Sequence, residues 1–304
     1  MMIKFDNKEN LFSIEQANQD KIDIEELKSC VSKIKNEPLL IPAQAFKSNI
    51  EAILSLLLLP SFIFGAGAGI GWSSAIVSEK KFNSKKEQLE ALRANKAKMP
   101  TIDPYYLQQL IDKEEKVKQG MKSVISSSIV LSWTAIETLS RDAWITCVNS
   151  LPDPLAKNAL RQKGDEVKTL KTTSIGKYNF DLSKFMGTLL VEEEEKYKFG
   201  NPDQIVKAYQ AIFPKFSVED MWKTFKQDLR LLSFTRNLIV HNSSIVDEKF
   251  IKKCNLDLPV DSILPLTNSN SIEFTQTVIS AGCKLIESID NWLKLTMKII
   301  ESRT

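Results

Sequence analysis

Histidine is almost missing from this chain: His241 is the only one in 304 residues. An HExxH zinc helix, or any site built from several imidazoles, is thereby excluded. The four cysteines, Cys30, Cys147, Cys254 and Cys283, stand far apart with no CxxC pair. That spacing excludes a zinc ribbon or a thioredoxin-like motif and leaves free, mostly buried thiols in a reducing compartment as the expectation. Glycine (10) and proline (11) are scarce, so the chain is neither collagenous nor of low complexity. Excess charge is lacking too: 41 basic against 38 acidic side chains give a net +3. No chain-wide polycation announces a nucleic-acid binder, and any such binding has to be local. There is no GK[ST] of a P-loop and no GxSxG around a serine. In GAGAGIG (65–71), Ile70 stands where the third glycine of GxGxxG belongs. The start, MMIKFDNKENLF, has no apolar run behind its basic residues and reads as no secretory signal.

What is present is a core-forming composition, 43% hydrophobic and 26% charged, in a chain long enough for one large or two ordinary domains. Residues 1–50 read as a polar N-terminal extension: a short helix carrying Ile22, Ile24, Leu27, Val31 and Ile34, then a linker marked by Pro38 and Pro42. Residues 51–78 form a hydrophobic segment, and from Ala52 to Ser78 no side chain is charged. Two readings stand side by side. One is a membrane helix, since about 20 apolar residues cross a bilayer and Gly65/Gly69 and Gly67/Gly71 have the GxxxG spacing of paired membrane helices. The other is a hairpin, buried or re-entrant, broken at Pro60. On the first reading, the basic residues after the segment (Lys80, Lys81, Lys85, Lys86, Arg93, Lys96, Lys98) place the C-terminal part in the cytoplasm, anchored to the inner face of the membrane.

Residues 79–104 read as a basic connector helix, and 105–304 as one helical domain. Within it, Val124, Ile125, Ile129, Leu131, Ile136, Leu139, Ala143, Trp144 and Val148 form a long apolar stripe ending before LPDP at 151–154. Short helices and a hairpin around 177–191 are expected next, with the acidic run Glu192–Glu195 on a solvated face. A second amphipathic helix carries Val218, Met221, Trp222, Phe225, Leu229 and Leu232 and runs on to His241. A last one, about 272–302, carries Ile279, Ile286, Ile289, Leu293 and Ile300. Each stripe must be buried against another, so the fold class is all-α, an antiparallel helical bundle.

The chemistry-bearing residues gather in RNLIVHN, 236–242. At 100° per residue Asn237 and His241 share a helix face, and Arg236 lies about 140° round from His241. A histidine at a helix C-terminus feels a dipole that favours its protonated form and is a candidate for proton transfer. Arginine offers a planar fork to a phosphate. An Arg and a His side by side therefore suit a phosphodiester, and Asn237 can orient either partner. On the first core helix Glu137, Arg141 and Asp142 are the polar breaks nearest the packing partner of this motif, and an exposed ion pair is their expected role.

With Arg-x4-His closing an amphipathic helix (RNLIVHNSSIVDEKF), the earlier helix SSSIVLSWTAIETLSRDAWI and a long final helix, residues 105–302 resemble the HEPN superfamily (higher eukaryotes and prokaryotes nucleotide-binding). The resemblance implies a helical bundle that dimerises with the motifs of two protomers facing each other. In active members this makes an endoribonuclease that needs no metal or other cofactor, often a toxin or anti-phage effector restrained by an antitoxin or sensor. Carried over, Arg236 holds the scissile phosphate, His241 transfers protons and Asn237 positions them. Asn242, Lys249, Glu137 and Arg141 are the candidates for contacts to RNA. The alternative is a catalytically silent HEPN-like module that binds RNA, nucleotide or a protein. The first hundred residues and the insert between the core helices depart from the simplest members, and a membrane tether through 52–78 would reinforce the dimer.

Overall fold

A computed structural model describes Phe5, 22–79, 84, 85, 87, 90, 113–160, 172–179, 181–193, 197–213 and 222–301; over 61–79 it describes the helical backbone. Among these residues the chain is all-α: α1 (Ile24–Ser32), α2 (Glu37–Glu79), α3 (Glu115–Ser150), α4 (Pro152–Leu160), α5 (Thr172–Gly176), α6 (Met186–Glu193), α7 (Pro202–Ile212), α8 (Lys226–Asn242), α9 (Glu248–Cys254) and α10 (Asn268–Glu301). The only pairing of β type among them is one antiparallel bridge, Ile245 with Ile263. The hairpin expected over 177–191 is absent: Met186–Glu193 is helical, because Leu189 and Leu190 are wholly buried together on one side of α6.

α3 is the central element and packs on α2, α10, α8 and α6. Its apolar positions do what their spacing predicts: Ile125, Ile129, Ile136, Leu139, Ala143, Trp144 and Val148 are buried, while Leu131 is exposed. The polar positions between them are not idle. Ser128 and Ser271 share a short hydrogen bond, and Ser132 and Thr275 are 3.0 Å apart, so a buried hydroxyl ladder joins α3 to α10. The large aromatics are anchored by their polar ends. The Trp144 indole N–H donates to the Ala208 carbonyl at 2.9 Å, the Tyr209 hydroxyl to the Ser140 carbonyl at 2.9 Å, and the Trp222 indole to the Ala281 carbonyl at 3.3 Å. This satisfies groups whose burial would otherwise cost free energy.

α1 forms where expected. Asp23 caps it by accepting from the Glu25 and Glu26 amides, and Leu27 and Cys30 are buried on α10 and α2. The linker after it is instead the start of α2. Leu39, Ala43, Phe46, Ile50, Ile53 and Leu57 alternate steps of four and three along one face and are all buried. Residues 24–57 therefore share the core with α3 and α10.

α2 runs through both Pro42 and Pro60. Both rings lie in the buried stripe, where packing outweighs the roughly 3 kcal/mol each interior proline costs a helix. This replaces the hairpin broken at Pro60. Among the described residues no helix is long and apolar enough to cross a membrane. The membrane span expected over 52–78 thus finds no support, and its first turns, Ile53 and Leu57, are committed to the bundle. What the Gly65/Gly69 and Gly67/Gly71 pairs pack against, most of the 79–104 connector, and Val218 and Met221 lie outside what the structure describes.

Candidate functional site

The RNLIVHN motif closes α8, as its spacing predicts. Ser243 and Ser244 take left-handed conformations (φ 50° and 65°) and both backbone N–H groups turn back to the Leu238 carbonyl, ending the helix. The chain then bends into a staple. Val246 N–H donates to Ser262 O at 2.8 Å, Asp261 N–H to Val246 O at 2.9 Å, and Leu264 N–H to Ser244 O at 2.8 Å. These bonds fix the turn next to His241 and aim it back over the bundle.

The motif's side chains fall into three environments. Leu238 and Thr235 are buried and hold α8 in the core. Arg236 and Asn237 are half-buried, and Arg236 Nη1 donates to Asn237 Oδ1 at 3.0 Å. His241 is exposed in the last turn. Asn237 and His241, four apart, stand one above the other on one face. Val240, next to His241 in sequence, and Ile245, Val260 and Ile263 of the segment that follows α8 are exposed apolar residues, Ile263 to 66%.

From α3, Glu137 is half-buried, and burial pushes its carboxyl above the ordinary value while Arg236, the Trp133 indole and Arg141 pull the other way. The charge of Arg236 on α8 is thus felt by Glu137 on α3, two helices that pack on each other. Arg141 is engaged elsewhere: its Nε donates to Asp142 at 2.9 Å on the surface. The exposed ion pair expected here is thus Arg141 with its chain neighbour, worth at most about 1 kcal/mol, and Glu137 stands apart from it. Asn242 is half-buried and spends its amide N–H on the Ile245 carbonyl at 2.6 Å, a turn-holding role. Lys249 is exposed on α9, with Lys252 and Lys253 on the same short helix.

One participant carried no sequence signal. Gly200, just before α7, accepts from the Ser233 hydroxyl at 3.4 Å, and a Cβ on it would stand 3.9 Å from Glu137 Oε1. It joins α8 to the Glu137 carboxyl through a loop 63 residues downstream, a relation that only the fold creates.

Other chemistries find less to work with. All four cysteines are free and buried. Burial pushes Cys147 up and Cys254 to about 12, and the contact with Cys30 together with burial raises Cys283. Thiolate nucleophiles are thus disfavoured. Among the described residues no group of three His, Cys, Asp or Glu is placed to hold a metal ion. Comparison with protein-family models, with curated proteins and with solved structures finds no match to this chain, so the HEPN resemblance rests on the motif and the helix order.

Proposed function

We propose that this chain is a metal-independent endoribonuclease of HEPN type, acting as a homodimer and used as a toxin or anti-phage effector under the restraint of an antitoxin or sensor. The observation that carries the reading is the end of α8: an exposed imidazole one turn beyond an amide that is hydrogen-bonded to a half-buried guanidinium. In the reaction the RNA 2′-hydroxyl attacks the adjacent phosphorus and gives up its proton as the new P–O bond forms. The P–O5′ bond breaks, and the 5′-oxygen takes a proton. The products are a 2′,3′-cyclic phosphate and a 5′-hydroxyl. Arg236 neutralises the charge that grows on the non-bridging oxygens, and His241 serves proton transfer.

The dimer follows from the same region. One Arg and one His are thin machinery for both proton transfers, and a second copy set against Val240, Ile245, Val260 and Ile263 would cover those exposed apolar groups and supply a second pair. The test is cleavage of RNA with magnesium chelated. Wild-type protein should leave 5′-hydroxyl and cyclic phosphate ends, and Arg236→Ala and His241→Ala should each lose cleavage while keeping the helical circular-dichroism spectrum. Wild-type protein that cuts no RNA, or variants that cut as well as wild type, would overturn the reading in favour of a silent binding module.

A further inference from the structure

Phe234 and Lys253 meet where α8 packs on α9. The Lys253 ammonium stands over the Phe234 ring, 4.9 Å from its centroid. Phe234 is half-buried: its body packs against the core, and the face under the exposed lysine is the one turned to solvent. Lys253 has no carboxylate partner among the described residues. Only the ring offsets its charge, and an exposed contact of that kind is weak.

Helix geometry relates this pair to the motif. Phe234 and His241 are seven residues apart, close to two turns, so their side chains leave α8 on one face, about 10 Å apart along its axis, with Asn237 between them. Lys249 and Lys252, also exposed, stand on the same short helix as Lys253. An aromatic face with an uncommitted cation over it is thus followed, along one line, by an amide and the imidazole. A single-stranded nucleic acid presents the matching series, a flat base and a phosphate at each step. A base stacked on an aromatic ring is held more tightly than an exposed ammonium over the same ring. A nucleobase can therefore take the ring face, and the ammonium it displaces swings on its flexible stem to a neighbouring phosphate.

We propose that Phe234 and Lys253 form the subsite for a nucleotide that flanks the cleaved bond: its base stacks on Phe234, Lys253 pairs with its phosphate, and the strand is thereby held in register over His241. Stacking of this kind tolerates any base, because every base has a flat face. It does not tolerate a duplex, whose bases are stacked on one another, so the substrate class is single-stranded RNA. The inference rests on the ribonuclease reading for cleavage, whereas binding of the strand needs no catalysis.

The experiment has two arms. Binding is measured with a 2′-O-methyl oligoribonucleotide, which lacks the attacking hydroxyl and cannot be cut, as a single strand and as a duplex. Wild type should prefer the single strand. Phe234→Leu keeps an apolar side chain against the core but removes the flat face; it should lose about 10-fold or more of the single-strand affinity, and Phe234→Tyr should keep it. Lys253→Met should lower the salt slope of binding by about 1. In the second arm, on cleavable RNA, Phe234→Leu should raise KM about 10-fold with little change in kcat, as expected for lost uniform binding. Unchanged affinity in Phe234→Leu, an unchanged salt slope in Lys253→Met, a preference for duplex, or a wild-type protein that holds no strand overturns the subsite. If wild type cuts RNA and Phe234→Leu leaves KM unchanged, the subsite fails and the ribonuclease reading stands. If wild type cuts no RNA, that reading fails while the binding arm still decides the subsite.

Discussion

Asn36 and Asp290, 254 residues apart, are joined by two hydrogen bonds from the asparagine side chain: Asn36 Nδ2 donates to Asp290 Oδ1 at 2.6 Å and to the Asp290 carbonyl at 3.0 Å. The same carboxylate oxygen accepts the backbone N–H groups of Asn36 (3.0 Å) and Lys35 (3.2 Å), and Lys294 closes on the other oxygen. One buried carboxylate on α10 thereby clamps the elbow between α1 and α2.

This clamp makes stability depend on acid. Burial alone would raise the Asp290 carboxyl, but the Lys294 ammonium and the bonds from Asn36 and Lys35 outweigh it and hold the value below the ordinary one. A depressed value stabilises the fold above the unfolded carboxyl value of about 3.9, and that contribution is lost as pH falls through the folded one. Asp290→Asn should cost roughly 1–3 kcal/mol at pH 7. Urea midpoints measured between pH 7 and pH 3 should fall for wild type and fall less steeply for the variant.

A second prediction concerns the α2–α10 contact. A Cβ on Gly282 would lie 2.5 Å from two ring atoms of Phe46, itself buried. Alanine gains up to about 1 kcal/mol in helix propensity, whereas overpacking a filled core costs about 1–3 kcal/mol. Gly282→Ala should therefore be net destabilising. Gly282→Ala with Phe46→Leu should recover part of the loss, seen as positive coupling in a double-mutant cycle of unfolding free energies.

These two contacts show what was legible in the sequence and what was not. The stripes of α3, α10 and, from Leu229 on, α8 were legible because a one-sided apolar face at helical spacing has only one way to be buried; Trp222 and Phe225, expected on the same helix, stand in the turn before it. The stripe of α2 from Leu39 to Leu57 is equally regular, but Pro42 lies in it and Pro60 just beyond it, and local rules read them as stops. Tertiary burial of the same rings decided otherwise. At the site, the Arg236 to His241 segment and its helix end were legible because they depend on neighbours in sequence. The partner of Arg141 was not, since four-residue spacing suits Glu137 and the structure gives Asp142. The effect of Arg236 on Glu137, and the place of Gly200 between Ser233 and Glu137, depend on the packing of distant segments and have no local signature.

The hydroxyl ladder between α3 and α10 yields a third prediction, on the asymmetry of buried hydrogen bonds. Ser128 and Ser271 are both wholly buried and bonded to each other. Removing one hydroxyl disturbs its partner's bonding, at roughly 1–3 kcal/mol, whereas removing both relieves the need. When Ser271 loses its hydroxyl, Ser128 still has the Ile125 carbonyl at 2.7 Å, so the lower end of that range applies to Ser271→Ala. Ser128→Ala and Ser271→Ala should each lower the thermal midpoint, and the double variant should lie above the sum of the two losses.

The last prediction separates charge from geometry at the motif. Arg236 is half-buried and already committed through one N–H to Asn237, so what it can offer a phosphate is the remaining planar fork. Lysine carries the same charge as a compact point on a flexible stem and cannot give the amide one N–H and a phosphate two from fixed directions. Arg236→Lys should therefore retain RNA binding within a few fold, since that depends on charge and salt. It should lose about 10²-fold or more in cleavage rate, the scale of removing one preorganised donor from a developing oxyanion. His241→Ala should likewise lose about 10²- to 10⁴-fold, as a group that moves protons does. Binding measured by filter retention at fixed salt, beside single-turnover cleavage, tests both, and an Arg236→Lys protein that cleaves at the wild-type rate would show that only the charge at 236 matters.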